Sequence, residues 1–440
     1  MQVRDAHTPV DTRPGAAVTP PEASGGSSPR GLAAVIASIL GTSDLPVAIE
    51  CFDGSRVGPR SSPATIVIER PDAIRRLLTA PGELGFSRAY VAGDIDIRGD
   101  IFAALEMRRI VPDVRLQPKD WAALLGFIGW QGLRPIAPPP EEIRLRGRRH
   151  TRNRDRAAIS YHYDVSNDFY RLFLGESMTY SCAVFHNHDA TLEEAQYEKY
   201  DLVCRKLGLR PGMRLLDVGC GWGGMVRHAA KHYGVHAVGV TVSDAQAEWG
   251  QRVTAEMGLS DQVEIRVQDY RDVRDGPFDA ISSIGMFEHV GLAKLREYFD
   301  DLHALLVPKG RLLNHGISNR PQRRPWVRRP GFISRYVFPD GELHEVGSVV
   351  TVMQQAGFEA RHLEDLREHY ALTLRAWVRN LEARWDEAVS IVGVARARIW
   401  RLYMAACVIG FETNTVQVNQ VLAVKNDDEG RSGMPLRPTW

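Results

Sequence analysis

Four of the six residues from Gly219 to Gly224 are glycine, in the run Leu215-Leu216-Asp217-Val218-Gly219-Cys220-Gly221-Trp222-Gly223-Gly224. Glycines placed directly after a strand let the backbone turn tightly and come close to a ligand. Gly219, Gly221 and Gly224 satisfy the GxGxxG spacing, which by itself does not distinguish one nucleotide from another. Asp217 does. A dinucleotide site sets a pyrophosphate at the N-terminus of the following helix, and a carboxylate two residues before the first glycine would repel it. The same carboxylate attracts the ammonium and sulfonium of S-adenosylmethionine. The second strand ends Val240-Thr241-Val242-Ser243, with no acidic residue for a ribose. Thr241, Ser243 and Gln246 instead offer hydroxyl and amide groups to a ribose or adenine. These residues imply an S-adenosylmethionine cofactor and hence a group transfer.

Other residues able to do chemistry are scattered. Cys182 follows Tyr180-Ser181, Glu288 stands beside His289, and His315 closes the strand pattern Arg311–His315. That strand end lies at the carboxyl edge of the expected sheet, where open α/β folds bind ligands. Glu288 and His289 lack further ligands at suitable spacing, so no metal is expected. The five cysteines (Cys51, Cys182, Cys204, Cys220, Cys407) are odd in number and contain no CxxC pair. They predict neither a disulfide framework nor a zinc site, and a reducing cytoplasm. Cys407, in Tyr403-Met404-Ala405-Ala406-Cys407, reads as a small core residue.

Elements must position these groups. Strand and helix patterns alternate from residue 210 onward: Arg214–Val218, a helix from Met225, Ala237–Val242, a helix from Asp244, Val263–Gln268, Phe278–Ser283, a helix from Leu292, and Arg311–His315. The alternation predicts an α/β fold with a parallel, doubly wound sheet. A helical entry segment occupies about 157–209. Upstream, residues 31–130 read as a small α/β unit with a first helix over Leu32–Leu40, strands Val47–Phe52 and Ala64–Glu69, and a helix opened by Pro71. Phe86–Asp94 is a compact stretch punctuated by glycine. Residues 1–30, rich in Pro, Gly and Ser, read as a disordered tail, and 426–440 as a C-terminal tail.

The chain has 440 residues, 44% hydrophobic and 25% charged, with a formal net charge of +1. This is an ordinary globular composition with room for two domains and no overall affinity for polyanions. The sharpest change is the linker 131–156, which combines Pro138-Pro139-Pro140 with Arg144, Arg146, Arg148, Arg149, Arg152, Arg154 and Arg156. A second basic group, Arg320, Arg323, Arg324, Arg328 and Arg329, surrounds Trp326. No nucleic-acid recognition motif accompanies them. Arginines with an interfacial tryptophan suit an anionic lipid surface. The apolar run at 32–40 is too short to span a bilayer, so membrane contact is expected to be peripheral, at the inner face.

The chain resembles the cyclopropane-fatty-acyl-phospholipid synthases and the related mycolic-acid methyltransferases. The resemblance covers about 155–422 and, more faintly, the N-terminal unit. Its carriers run in order: His162-Tyr163-Asp164-Val165-Ser166-Asn167-Asp168-Phe169-Tyr170, Met178-Thr179-Tyr180-Ser181-Cys182-Ala183, the glycine turn, Gly239–Ser243, Gln268-Asp269-Tyr270-Arg271-Asp272, Gly285-Met286-Phe287-Glu288-His289-Val290-Gly291, Tyr336-Val337-Phe338-Pro339, and His369-Tyr370 with Thr373-Leu374 and Trp377. The resemblance implies a class I, Rossmann-like methyltransferase domain over 157–425 and a lipid-binding-type N-terminal domain. It implies cofactor contacts at Tyr180, Ser181, Asp217, Gly219, Cys220, Gly221, Thr241, Gln246, Asp269 and Tyr270. It also implies that Cys182, Glu288, His315, Ile317 and Tyr370 hold a bicarbonate ion beside the substrate, with Cys407 as a further active-site cysteine. Phe332 stands where the family usually has Trp, and His344 where proline is common, which bears on acyl-chain or head-group preference.

The implied reaction is methylene transfer from S-adenosylmethionine to the cis double bond of an acyl chain in membrane phospholipid. The alkene is the nucleophile, so no enzyme nucleophile is needed. The site must align the methyl donor, stabilise a carbocation and supply a base in a dry pocket. Methyl-branch formation on the same alkene differs only in the fate of the carbocation. A methyltransferase for a soluble metabolite would not need the basic loops. A non-enzymatic lipid-binding protein would not need Asp217, Glu288, His315 and Tyr370. A homodimer is compatible with the resemblance.

Overall fold

The computed structural model describes residues 30–110, 117–129, 132, 134–143, 154, 166–320, 331–339 and 341–440. The motif residues His162–Val165, Trp326 and the arginines of both basic groups other than Arg154 and Arg320 lie outside them.

The N-terminal unit comprises α1 (Gly31–Leu40), β1 (Ala48–Cys51), β2 (Arg56–Val57), β3 (Ala64–Ile68), α2 (Pro71–Thr79), α3 (Glu83–Ala92), β4 (Ile95–Gly99), α4 (Ile101–Ile110) and α5 (Pro118–Ile128). Its sheet has the order β2-β1-β3-β4, with β1 and β3 parallel and both outer pairs antiparallel. The compact stretch Phe86–Asp94 is most of α3 with the turn that leads into β4. Helix α3 buries Gly85, Ser87, Ala89, Tyr90 and Val91. With packing partners on more than one side, it has no clean apolar stripe to betray it. Gly93, at φ 76°, ends the helix in the left-handed conformation that glycine adopts freely.

The larger unit contains α6 (Asn167–Leu174), α7 (Leu192–Leu207), β5 (Arg214–Val218), α8 (Gly224–Tyr233), β6 (His236–Thr241), α9 (Asp244–Glu256), β7 (Val263–Val267), β8 (Phe278–Ile284), α10 (Leu292–Ala304), β9 (Leu306–Asn319), α11 (Phe332–Tyr336), α12 (Val346–Gln355), β10 (Phe358–Asp365), α13 (Arg367–Ala383), α14 (Trp385–Val392), α15 (Val394–Glu412) and β11 (Val416–Lys425). Side chains cap several helix starts, α6 and α7 among them. The Ser166 hydroxyl accepts from Asp168 and Phe169 at α6, and Thr191 with Glu194 closes a capping box on α7.

The sheet order is β7-β6-β5-β8-β9-β11-β10. Strands β5 to β9 are mutually parallel, as the alternation predicts. Strand β11 is antiparallel to both β9 and β10, so the sheet is mixed rather than wholly parallel. Residues Val418–Val424 are all buried, the polar Asn419 and Gln420 among them, so no two-residue alternation of apolar and polar marks the strand. Strand β9 also extends past the predicted end. His315 pairs with Ile284, the last residue of β8, so it lies level with the end of β8 and not at the end of its own strand.

The two units share a core. Tyr90, Ile97 and Ile101 belong to the same buried cluster as Phe169, Trp377 and Trp400. From α15, Arg401 donates to the Tyr90 hydroxyl and to the carbonyls of Ile97 and Gly99, while Arg398 reaches Asp96. Glu142 of the linker, its side chain 1% exposed, takes both Arg88 of α3 and Arg335 of α11. The predicted C-terminal tail packs back on the fold, with Met434 and Trp440 against the cluster around Val203 and Leu215.

Candidate active site

Strands β5, β6 and β7 end side by side, and a cavity of about 440 Å³ opens over their carboxyl ends. Gly219 and Gly221 have φ of 78° and 53°, which keeps the turn low enough to leave this space. Gly224 begins α8 against α7: a Cβ there would sit 2.1 Å from the Tyr200 hydroxyl oxygen. Tyr180, Ser181, Asp217, Gly219, Cys220, Gly221, Thr241, Gln246, Asp269 and Tyr270 all line the cavity. Ser243 does not. Its hydroxyl caps α9 by accepting from the Gln246 amide. Thr241 Oγ1 donates to Gln246 Oε1 at 2.8 Å, so these two predicted contacts are fixed by each other. Asp269 is held by a two-pronged pair with Arg271.

Asp217 is buried at the floor. Ser282 donates to its Oδ1 at 2.6 Å, and burial raises its carboxyl to about 6 against the help of that bond and of Lys199. Lys199 was not singled out in the sequence. It projects from α7 into the cavity wall, where its ammonium donates to Ser181 Oγ at 3.2 Å and lies 3.8 Å from the centre of the Tyr200 ring. Burial lowers it to about 7. One turn earlier, Gln196 donates to the Ser181 carbonyl at 3.0 Å. The signal was present: Gln196, Lys199 and Lys206 occupy the stripe of α7 that also carries Ala195, Val203 and Leu207. Polar side chains on an apolar stripe are buried groups in need of partners.

The second predicted group lies beyond the cavity wall. Glu288 stands in a one-turn 3-10 helix, Phe287–His289, and its Oε1 accepts from the Ile317 amide at 2.7 Å. Its Oε2 is buried and has no partner among the described residues. Burial raises the carboxyl to about 7. His315 has a defined tautomer. Lys206 donates to Gln420 Oε1 at 2.7 Å, which turns the Gln420 amide nitrogen toward His315 Nδ1 at 3.2 Å. Nδ1 is therefore the acceptor and the proton sits on Nε2. That N–H is buried and finds no acceptor among the described residues. Burial, aided by Lys199 and Lys206, lowers the ring to about 3, so it is neutral at pH 7.

Backbone links bring the remaining members into the same region. Ile317 pairs with Val418, whose carbonyl accepts from Leu366. The Leu366 carbonyl accepts from the Tyr370 amide at 3.0 Å and from Cys182 Sγ at 3.7 Å. The Tyr370 ring packs on Phe411 and Trp377. Burial pushes the Cys182 thiol well above its ordinary value, and Cys407 up to about 12. Neither is poised as a thiolate nucleophile. Cys407 lies on α15, one turn from Tyr403 and from Phe411. The Ile317 amide, expected as a donor to bicarbonate, is occupied by Glu288.

The family model described as mycolic acid cyclopropane synthetase matches residues 150–421. The chain belongs to this family. It is an S-adenosylmethionine-dependent methyltransferase of the cyclopropane synthase type. It is 46% identical over 420 residues, 93% of this chain and 98% of the relative, to a probable fatty acid methyltransferase of Mycobacterium tuberculosis. A probable fatty acid methyltransferase of Pseudomonas putida is 41% identical over 89% of this chain and 95% of its own length. Among solved structures, the cyclopropane synthase MmaA2 of Mycobacterium tuberculosis superposes with a TM-score of 0.58 at 36% identity, covering 61% of this chain and 97% of that one. The mycolic acid cyclopropane synthase CmaA1, solved with S-adenosylhomocysteine, matches equally well. These structures cover 61% of this chain, whereas the two fatty acid methyltransferases match 93% and 89% of it.

Proposed function

We propose that this chain transfers the methyl carbon of S-adenosylmethionine to the cis double bond of an unsaturated acyl chain in a membrane phospholipid and closes a cyclopropane ring. The observation that supports this most is the pair of buried, unpartnered polar atoms, Glu288 Oε2 and His315 Nε2. Buried polar atoms without partners are costly unless a ligand completes them. His315 offers an N–H, and Glu288, its carboxyl raised to about 7 by burial and so shared between both protonation states at pH 7, can either donate or accept. These residues fit a small oxyanion such as bicarbonate, which when bound would supply a base that is neither a side chain nor bulk water.

The alkene π electrons form a bond to the transferred methyl as its bond to sulfur breaks, leaving a carbocation on the lipid. Loss of a proton from that methyl leaves its electron pair to close the ring. Asp217 orients the positively charged donor, and Tyr180, which lines the cavity and is backed by Trp377 stacked on it, is the aromatic group placed near developing positive charge. His315 stays neutral and so does not compete with the cation. Lipid-directed chemistry accords with the names of the relatives. Their description as fatty acid methyltransferases supports a second reading, methyl branching on the same alkene.

No helix among the described residues is long and apolar enough to cross a membrane. Docking would then rest on the arginine groups, and replacing Arg323, Arg324, Arg328 and Arg329 with Gln is expected to weaken liposome binding at low salt. The test of the reaction itself is incubation with methyl-labelled S-adenosylmethionine and unsaturated phospholipid vesicles. Label in the acyl chains, resistant to mild hydrogenation, is the expected result. Label passing only to a soluble amine would overturn the proposal.

A further inference from the structure

Two buried charges of opposite sign stand in the wall of one cavity. Asp217 ends β5, and Lys199 projects from α7. Both are buried, at 3% and 1% exposure. The other cavity cations are engaged: Arg271 is paired with Asp269, and Lys294 with Glu297 at 2.6 Å. Among the described residues Lys199 has no carboxylate in ion-pairing range. Its one hydrogen bond goes to a serine hydroxyl, at 3.2 Å. Asp217 is attractive to Lys199 but spends Oδ1 on Ser282.

S-adenosylmethionine carries two positive groups, the sulfonium and the α-ammonium, and one negative group, the α-carboxylate. A buried ammonium beside a sulfonium is repulsive unless an anion lies between them. The carboxylate is the cofactor's own anion. Thr241, Gln246 and the Val267–Asp272 segment line the β6 and β7 side of the cavity, where hydroxyl and amide groups suit the adenosine half. The amino-acid half therefore falls on the β5 side, where Lys199 and Asp217 are.

Resting on the S-adenosylmethionine reading, we propose that Lys199 is the binding residue for the α-carboxylate of the cofactor, with Ser181 beside it and Asp217 taking the ammonium. Burial favours the neutral amine, so the cofactor carboxylate would restore a full charge to Lys199. Gln196, by holding the Ser181 carbonyl, keeps the tyrosine-serine segment against this ammonium.

The test compares two ligands on the full chain by calorimetry: S-adenosylhomocysteine, and its decarboxylated analogue, which keeps the amine and the nucleoside. Wild type is expected to prefer the carboxylated ligand by about 10- to 100-fold, as for a desolvated charge-assisted hydrogen bond. Lys199→Met is expected to lose that preference while binding the decarboxylated analogue as wild type does, which also reports that its cavity is intact. Lys199→Arg is expected to keep much of the preference. Equal affinity of wild type for both ligands, or an equal loss on both in Lys199→Met, overturns the assignment. Wild type that binds neither nucleoside overturns the cofactor reading and this assignment with it.

Discussion

Replacing Glu288 with Gln tests the base site without relying on activity alone. Glutamine keeps an oxygen for the Ile317 amide and removes the ionisation. In the folded protein the Glu288 carboxyl holds its proton to about pH 7, against an ordinary value of 4.5, because it is buried. Between those values the folded state binds more protons than the unfolded chain at this residue. Its stability must therefore fall as pH rises through that window. The separation corresponds to about 3 kcal/mol lost from this residue alone between pH 4.5 and 8. Glu288→Gln should escape that loss. In urea titrations of the unliganded protein across this range, the variant should gain on wild type by a few kcal/mol from the acid to the alkaline end. Other titrating groups, Asp217 among them, cancel in the difference. Turnover should fall by about 10²-fold or more. Parallel pH courses for the two proteins would refute the picture of a buried Glu288 whose carboxyl holds its proton to about pH 7.

Three further outcomes follow from the same geometry. Gly224→Ala should abolish S-adenosylhomocysteine binding or strongly destabilise the fold, since its Cβ would meet the Tyr200 hydroxyl, which is itself held 2.6 Å from Thr179 Oγ1; binding by calorimetry checks this. Glu142→Ala leaves Arg88 and Arg335 facing each other without their shared carboxylate, and should lower thermal stability by about 3 kcal/mol, read as a melting shift. Cys182→Ala and Cys407→Ala should each retain most methyl transfer, measured with labelled cofactor, because the alkene is the nucleophile and both thiols are held protonated; complete loss in a folded Cys407→Ala would restore a covalent or direct role.

The lining of the candidate cofactor cavity was legible because it is local. Asp217, the glycines and the Thr241/Gln246 pair lie at consecutive strand ends, and strand-turn-helix chemistry is written in short windows. The candidate base residues Cys182, Glu288 and His315 could be picked out one by one, but only the resemblance joined them with Tyr370 as a group. Cys182, Glu288, His315 and Tyr370 come from four separate segments, and nothing in the sequence spacing predicts that Leu366 and Val418 link them. Lys199 and Gln196 were missed because α7 reads as an ordinary amphipathic helix unless each polar residue on its apolar stripe is asked for a partner. Ser243 caps α9 and does not line the cavity, the commoner place for a serine just before a helix. Strand β11 escaped because burial on both faces erases alternation. Helix α3 escaped because it is packed on more than one side.

The central claim is tested most directly by the fate of the transferred hydrogens. Incubation of the full chain with trideuteriomethyl S-adenosylmethionine and unsaturated phospholipid vesicles, followed by mass spectrometry and NMR of the released acyl chains, gives one answer. Ring closure predicts that two of the three deuteriums remain, on a cyclopropane carbon that takes up no hydrogen under mild hydrogenation. Acyl chains that keep all three deuteriums on a methyl branch would contradict it.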